Sequence, residues 1–220
     1  MKGLIRNNFY SMEDSLKLTS AINIMMAIGV SVLGIFNSFA RSWIAIVILL
    51  QMGSYAVQVA STLQKDVSSQ WNKFEITMPV RRKDVVKAKY ICFILNGVLG
   101  IAAALLTVII SQLLQIDINV EKVFLSITFG IVIIFALPAL TYPLLLIFGV
   151  DKTEMVLSIS VILISILFVS SSVIFNYIMP DLSVYSNLVF RCSIIVISII
   201  LFIISYMFSV ILYKKKNSNV

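Results

Sequence analysis

The chain has 220 residues, of which 60% are hydrophobic and 12% charged, with a formal net charge of +7 and no histidine. A water-soluble domain carries about half apolar and about a quarter charged residues, so this composition is that of a membrane protein. Without histidine there is no HExxH zinc site, no Ser-His-Asp relay and no imidazole proton shuttle.

At the start of the chain, Ile5, Phe9, Met12 and Leu16 recur at helical spacing, while Arg6, Glu13, Asp14 and Lys17 fall elsewhere on the wheel. This predicts an amphipathic interfacial helix over residues 1–17, lying along the membrane surface. Six apolar runs follow, at about 18–36, 42–60, 90–114, 123–149, 155–179 and 188–213. Each is near the roughly 20 residues that a helix needs to cross a bilayer, and none has a charge at its centre. The predicted fold class is therefore an all-α membrane protein with six transmembrane helices in a single domain. Ser38-Phe39-Ala40 offers small residues at the spacing of a signal-peptidase site. The run before it is longer than the 7 to 15 apolar residues usual in a signal peptide, and Glu13 and Asp14 interrupt its basic flank, so it reads as a span.

Fourteen of the 17 Lys and Arg residues lie on the side of the two termini, against Arg41, Lys122 and Arg191 on the other. The positive-inside rule then predicts that both termini are cytoplasmic. The basic balance follows from topology and contact with lipid headgroups, and nucleic acid is not expected as a partner. Cys92 and Cys192 fall on opposite faces in this topology, which predicts no disulfide within the chain. In the fourth run, Pro138 and Pro143 each lack a backbone donor and clash one turn back, which predicts a kink or break between Leu137 and Leu144. A milder bend, with its carbonyls met by Thr141 or by neighbouring helices, is the alternative.

The loop 61–89 is the one segment between spans long enough to form structure of its own. Within it, Val67, Trp71, Phe74 and Met78 follow i, i+4, i+7, i+11, gathering an aromatic stripe on a short helix that ends before Pro79. Such a face can lie on lipid headgroups or fit a groove on a cytosolic partner, and the residues alone leave both open. Beyond the proline, Asp84 is placed to cap the helix that runs into the third span.

The run WNKFEITMPVRRKDVVKAKY resembles the cytoplasmic loop of small ABC-2 type permeases, through Pro79, Arg82, Lys83, Asp84, Val85, Val86, Lys89 and Tyr90. Met78 stands where a Leu is usual and Arg81 where a Ser or Thr is commoner. Within that family the chain is similar to membrane subunits of exporters for amphipathic peptides, such as the phenol-soluble modulin exporter. The resemblance implies that the loop holds a coupling helix seated on a separate cytoplasmic ATP-binding cassette subunit. Trp71, Phe74, Met78 and Pro79 would dock there, with Glu75 and Arg82 pairing charges at the rim. It implies as well a second permease copy or a paralogous permease, a bacterial plasma membrane, and no cofactor on this chain, ATP being bound by the partner subunit. The chain itself is then no enzyme. In agreement, no GxxxxGK[ST] phosphate loop occurs: Gly29 and Gly34 have the spacing, but Ile35 stands in the lysine position.

Polar residues within the spans are the remaining clue, because an amide or hydroxyl in hydrocarbon needs a neighbouring helix or water. Gln51, Tyr55, Gln58 and Thr62 share a stripe on the second span. Ser158, Ser165, Ser172 and Asn176 share one on the fifth, and Ser198, Ser205 and Ser209 one on the sixth. Gln51, Tyr55, Gln58, Ser165 and Ser172 are the candidates for a substrate path, against the alternative that all of these pack helices together. Such a wall, with hydroxyls and amides but no fixed charge, suits amphipathic peptides or lipid-like molecules. The expected function is the permease subunit of an ABC-type exporter. An ABC-2 immunity permease against antimicrobial peptides, and a non-ABC secondary transporter, are the alternatives; the second suffers from the lack of an acidic group at depth.

Overall fold

The computed structural model describes residues 2–68, 81–178 and 187–216. Among them every regular element is helical: α1 (Lys2–Phe36), α2 (Ser38–Ser68), α3 (Arg82–Leu113), α4 (Val120–Phe148), α5 (Thr153–Ile178) and α6 (Leu188–Lys216), with one 3-10 turn at Val150–Lys152. All six are long and apolar enough to cross a membrane. The shortest, 26 residues in α5, reaches about 39 Å at 1.5 Å per residue, against a hydrocarbon core of about 30 Å.

Asparagines open three of the helices by accepting from the otherwise orphaned N–H groups of the first turn. Asn37 Oδ1 accepts from Phe39 N, Asn119 Oδ1 from Lys122 N, and Asn187 Oδ1 from Val189 N. At the other end of α4, Gly149 takes φ +88°, a left-handed conformation that glycine adopts without a Cβ penalty, and the chain turns into α5 there.

Bonds at two levels show α1 and α2 (Ser20–Tyr55, Ser11–Lys65), α2 and α3 (Gln51–Thr107, Asp66–Lys89), and α3 and α6 (Tyr90–Ser205, Arg82–Lys214) running antiparallel. The residues flanking 69–80, both ends of the described chain and the α4–α5 turn therefore share one end of the bundle, here the near end. The α1–α2 and α3–α4 turns lie at the far end. Helices α2 and α4 form the spine, α2 packing on α1, α3 and α4, and α4 packing on α2, α6, α5 and α3. Their close approach depends on Gly130, where a Cβ would collide with the Met52 side chain. One apolar cluster fills the near half, around Val86, Tyr90, Tyr142 and Val156; another fills the far half, around Ile44, Ile48, Ala104 and Ile134.

Several sequence expectations change. Residues 2–17 form no separate surface helix; they continue the first span as one 35-residue helix. Their apolar face has a protein surface to cover, Leu4 packing with Val85 and Ala88 of α3 and the buried Met12 lying against Asn96. The polar loop expected over 61–89 is shorter, because α2 runs to Ser68 and α3 begins at Arg82. Val67 thus belongs to α2, and Asp84 sits in the first turn of α3 instead of capping it; the capping position is Arg81, with no side-chain cap bond.

Pro138 and Pro143 do not break α4. A proline at 143 deprives the Ala139 carbonyl of its helical donor, and Ser205 Oγ of α6 donates to that carbonyl at 2.6 Å. Thr141 Oγ1 in turn donates to Leu137 O at 2.8 Å. A neighbouring helix thus meets the carbonyl that Pro143 frees, as the milder alternative allowed, whereas the carbonyl that Thr141 bonds is not one that either proline frees. Both cysteines are free, Cys92 buried in α3 and Cys192 exposed in α6.

Candidate functional site

Trp71, Phe74, Glu75, Met78 and Pro79 lie outside the described residues, but the frame that holds them is described on both sides. Two residues before the end of α2, Asp66 accepts from Lys89 Nζ of α3 at 2.9 Å, with side chains 5% and 9% exposed. A buried charge is retained only against an opposite partner, so this pair clamps together the two helices that lead into and out of residues 69–80. Lys65 Nζ donates to Ser11 O, tying the same turn of α2 to α1. Arg82, the first residue of α3, is exposed, and its Nη1 donates to Lys214 O of α6 at 3.2 Å.

Next to Lys89, Tyr90 points to the other side of α3. Its ring is 4% exposed and lies 5.0 to 5.5 Å, centroid to centroid, from Phe93, Tyr142, Phe202 and Tyr206. Its hydroxyl meets Ser205 Oγ at 2.8 Å and Ser209 Oγ at 3.0 Å. Because the one hydrogen of Ser205 goes to Ala139 O, Tyr90 must donate to Ser205, and Ser209 to Tyr90. The result is a directed chain from α6 through α3 and back through α6 to the carbonyl that Pro143 leaves without a helical donor.

Deeper in the bundle, the path candidates of α2 face α1 and α3. Gln51, fully buried, donates from Nε2 to Asn23 O at 3.0 Å and accepts at Oε1 from Thr107 at 2.8 Å. Gln58 donates to Ser15 O and to Thr19 Oγ1, and Tyr55 shares a 2.9 Å bond with Ser20. Asn23 donates to Ser54, and at the far end Ser31 meets Ser111. Gln51 and Gln58 are thereby built into a polar seam among three helices. Tyr55 also lines a cleft of about 200 Å3 with Ser20 and Asn23.

Ser165 and Ser172 are not brought to that seam. Ser165 is exposed and Ser172 half-buried on α5, and they donate to the carbonyls of Val161 and Val169 in their own helix. Ser165 lines a lateral groove of about 460 Å3 between α2, α4 and α5, together with Gly53, Ser54, Val57 and Ile164. The groove walls are almost wholly apolar, so what it can hold is a hydrocarbon or hydrophobic side chain.

Sequence reading gave no site role to Asn23, Asp66, Lys89, Asn96 or Thr107. Asn23 and Asn96 carry amides inside apolar runs, a signal as strong as that of Gln51. Asp66 and Lys89 are opposite charges at corresponding positions on either side of one loop. Asn96 is fully buried, its Nδ2 faces Met12 Sδ at 3.3 Å and its Oδ1 accepts no hydrogen bond among the described residues. The contact between α1 and α3 is therefore held less firmly there than at the Gln51 layer. No group of His, Cys, Asp or Glu able to hold a metal ion occurs among the described residues.

The sequence model described as an ABC-2 family transporter protein matches residues 3–214. No curated protein and no solved structure matches the chain.

Proposed function

This chain belongs to the ABC-2 transporter family, as a multi-pass permease subunit that works with an ATP-binding cassette subunit, and from that membership we propose that it exports an amphipathic or hydrophobic substrate. The match across residues 3–214 carries the reading. ATP is bound and hydrolysed by the separate subunit, and this chain supplies a path and a lever, with no cofactor of its own. A peptide toxin or a lipid-like molecule suits the apolar groove at Ser165, where no fixed charge would hold an ion or a sugar. The resemblance of the chain to membrane subunits of exporters for amphipathic peptides favours the amphipathic peptide in particular. Cargo leaves a bacterial cell across its plasma membrane, through a pair made with a second copy or a paralogous permease.

The near end faces the cytoplasm in this reading, since it carries fourteen of the 17 basic residues. Trp71, Phe74, Met78 and Pro79 dock the ATPase, and Glu75 and Arg82 pair charges at the rim. ATP binding then closes the ATPase pair, draws the 69–81 connection with it and shifts the spans between conformations. Tyr55 and Ser165, which line open space, are path residues in this scheme; Gln51 and Gln58 serve the path by holding α1 and α3 beside it.

Co-purification in mild detergent tests the docking. With Trp71→Ala and Phe74→Ala combined, recovery of the ATPase subunit should fall at least tenfold while the permease stays in the membrane. Unchanged recovery would mean that these aromatics do not anchor the partner.

A further inference from the structure

We infer that Tyr90 is a positioning residue for energy coupling: the chain Ser209, Tyr90, Ser205, Ala139 O carries displacement of the 69–81 connection into α6 and into the proline-bearing stretch of α4. The inference rests on the reading that an ATPase subunit docks on that connection.

Three observations carry it. First, α3 leaves the connection at Arg82 and meets α6 at two levels, Arg82 Nη1 on Lys214 O and the Tyr90 hydroxyl between Ser205 and Ser209. An axial or lateral pull on the start of α3 thus reaches α6 within about two turns. Second, four rings surround Tyr90. They exclude lipid and water from its hydroxyl, so in a dry site Ser205 and Ser209 are what it has to bond with, and losing them would be costly. Third, the chain ends on the carbonyl that Pro143 has released from the helical ladder. At that point α4 can bend without breaking a backbone bond of its own, and whether the carbonyl is satisfied depends on where α6 holds Ser205. Lys89, one residue back, fixes the opposite side of α3 to Asp66 of α2. The connection therefore moves α2 and α3 as one piece, and Tyr90 is the point where that piece grips α4 and α6.

Amide hydrogen exchange on the full permease–ATPase complex in lipid nanodiscs tests this. The readout is the exchange rate of residues 137–147 of α4, without nucleotide and trapped with ATP and vanadate. In the parent complex trapping should change that rate at least threefold. In Tyr90→Phe the ATPase should co-purify in the same ratio, and the response should shrink to less than a third of the parent's. A retained response with the ATPase bound would overturn the inference, as would a parent complex whose α4 ignores the nucleotide. If the parent chain recovers no ATPase at all, it is the docking reading that falls. Should Tyr90→Phe fail to assemble, Ser209→Ala removes the donor to Tyr90 and leaves Ser205 on Ala139 O. Its α4 response should fall by at least half, and an undiminished one would count against the chain.

Discussion

The first three helices and α5 solve the same problem, polar groups in hydrocarbon, in opposite ways. In α1, α2 and α3 the polar side chains reach across: Gln51 to Asn23 and Thr107, Gln58 to Ser15 and Thr19, Tyr55 to Ser20, Lys89 to Asp66. In α5 all six serines turn back to carbonyls three or four residues earlier in their own helix. Such a serine is satisfied without a neighbour. Burial follows suit: 60% of the most apolar stretch of α2 is buried and 11% of that of α5. Contacts of α5 with α4 and α6 are instead made by rings, Phe168 against Phe129 and Phe190, and Phe175 against Phe190. Interhelical hydrogen bonds give one register and resist sliding, whereas rings and methyl groups slide at little cost. The molecule thus sets a locked trio, tied on to α6 through Tyr90, against one helix, α5, that is held by rings and methyl groups among the described side-chain contacts.

If the trio is locked as described, its most costly break is the ion pair. Lys89→Met should lower stability by about 3–5 kcal/mol, since it leaves Asp66 buried without its cation. Adding Asp66→Leu should recover most of the loss, because apolar pairs replace buried ion pairs at little cost. Unfolding of the purified chain in detergent measures both. A single variant as stable as the parent would show that the near end of α2 and α3 is not clamped. Next in size is Gln51→Leu, which removes two bonds of the seam; at about 0.6 kcal/mol for an average interhelical bond in a bilayer, the loss should be about 1 kcal/mol. A larger fall in transport than in stability would put Gln51 on the path after all.

The same contrast marks what the sequence could and could not say. Six spans were legible because long apolar runs have no other use in a chain this size, and the helices begin and end within a few residues of those runs at the far end. At the near end they did not, since hydropathy treats Lys65, Asp66, Arg82 and Lys89 as loop residues. Helix propagates through them because their charges meet Ser11 O, Lys214 O or one another. Periodicity likewise showed that Gln51, Tyr55 and Gln58 share a face of α2, but not which neighbour that face meets. It missed Tyr90 for a plainer reason: a tyrosine at the mouth of a span looks like an interface anchor, and three of its four ring neighbours come from two other helices far away in sequence. Pro143 and Ser205 could be paired only once α4 and α6 were seen side by side.

The smallest effects belong to α5, and they discriminate most sharply. Ser165→Ala and Ser172→Ala each remove a hydroxyl that, among the described contacts, bonds back to its own helix. Stability should change by less than about 0.5 kcal/mol in either, because no partner group is stranded and a serine that bonds back to its own helix adds little to it. Function separates them. Ser165 lines the groove with Ser54 and Gly53, and Ser172 does not, so substrate-stimulated ATP hydrolysis by the complex should respond to Ser165→Ala, by about twofold, and not to Ser172→Ala. Enlarging the side chain instead, as in Ser165→Phe, should fill the groove and deepen that loss. Equal responses at the two positions would move the path away from the α2–α5 groove, and a stability loss at Ser172 would show that the exposed face of α5 is covered by another chain.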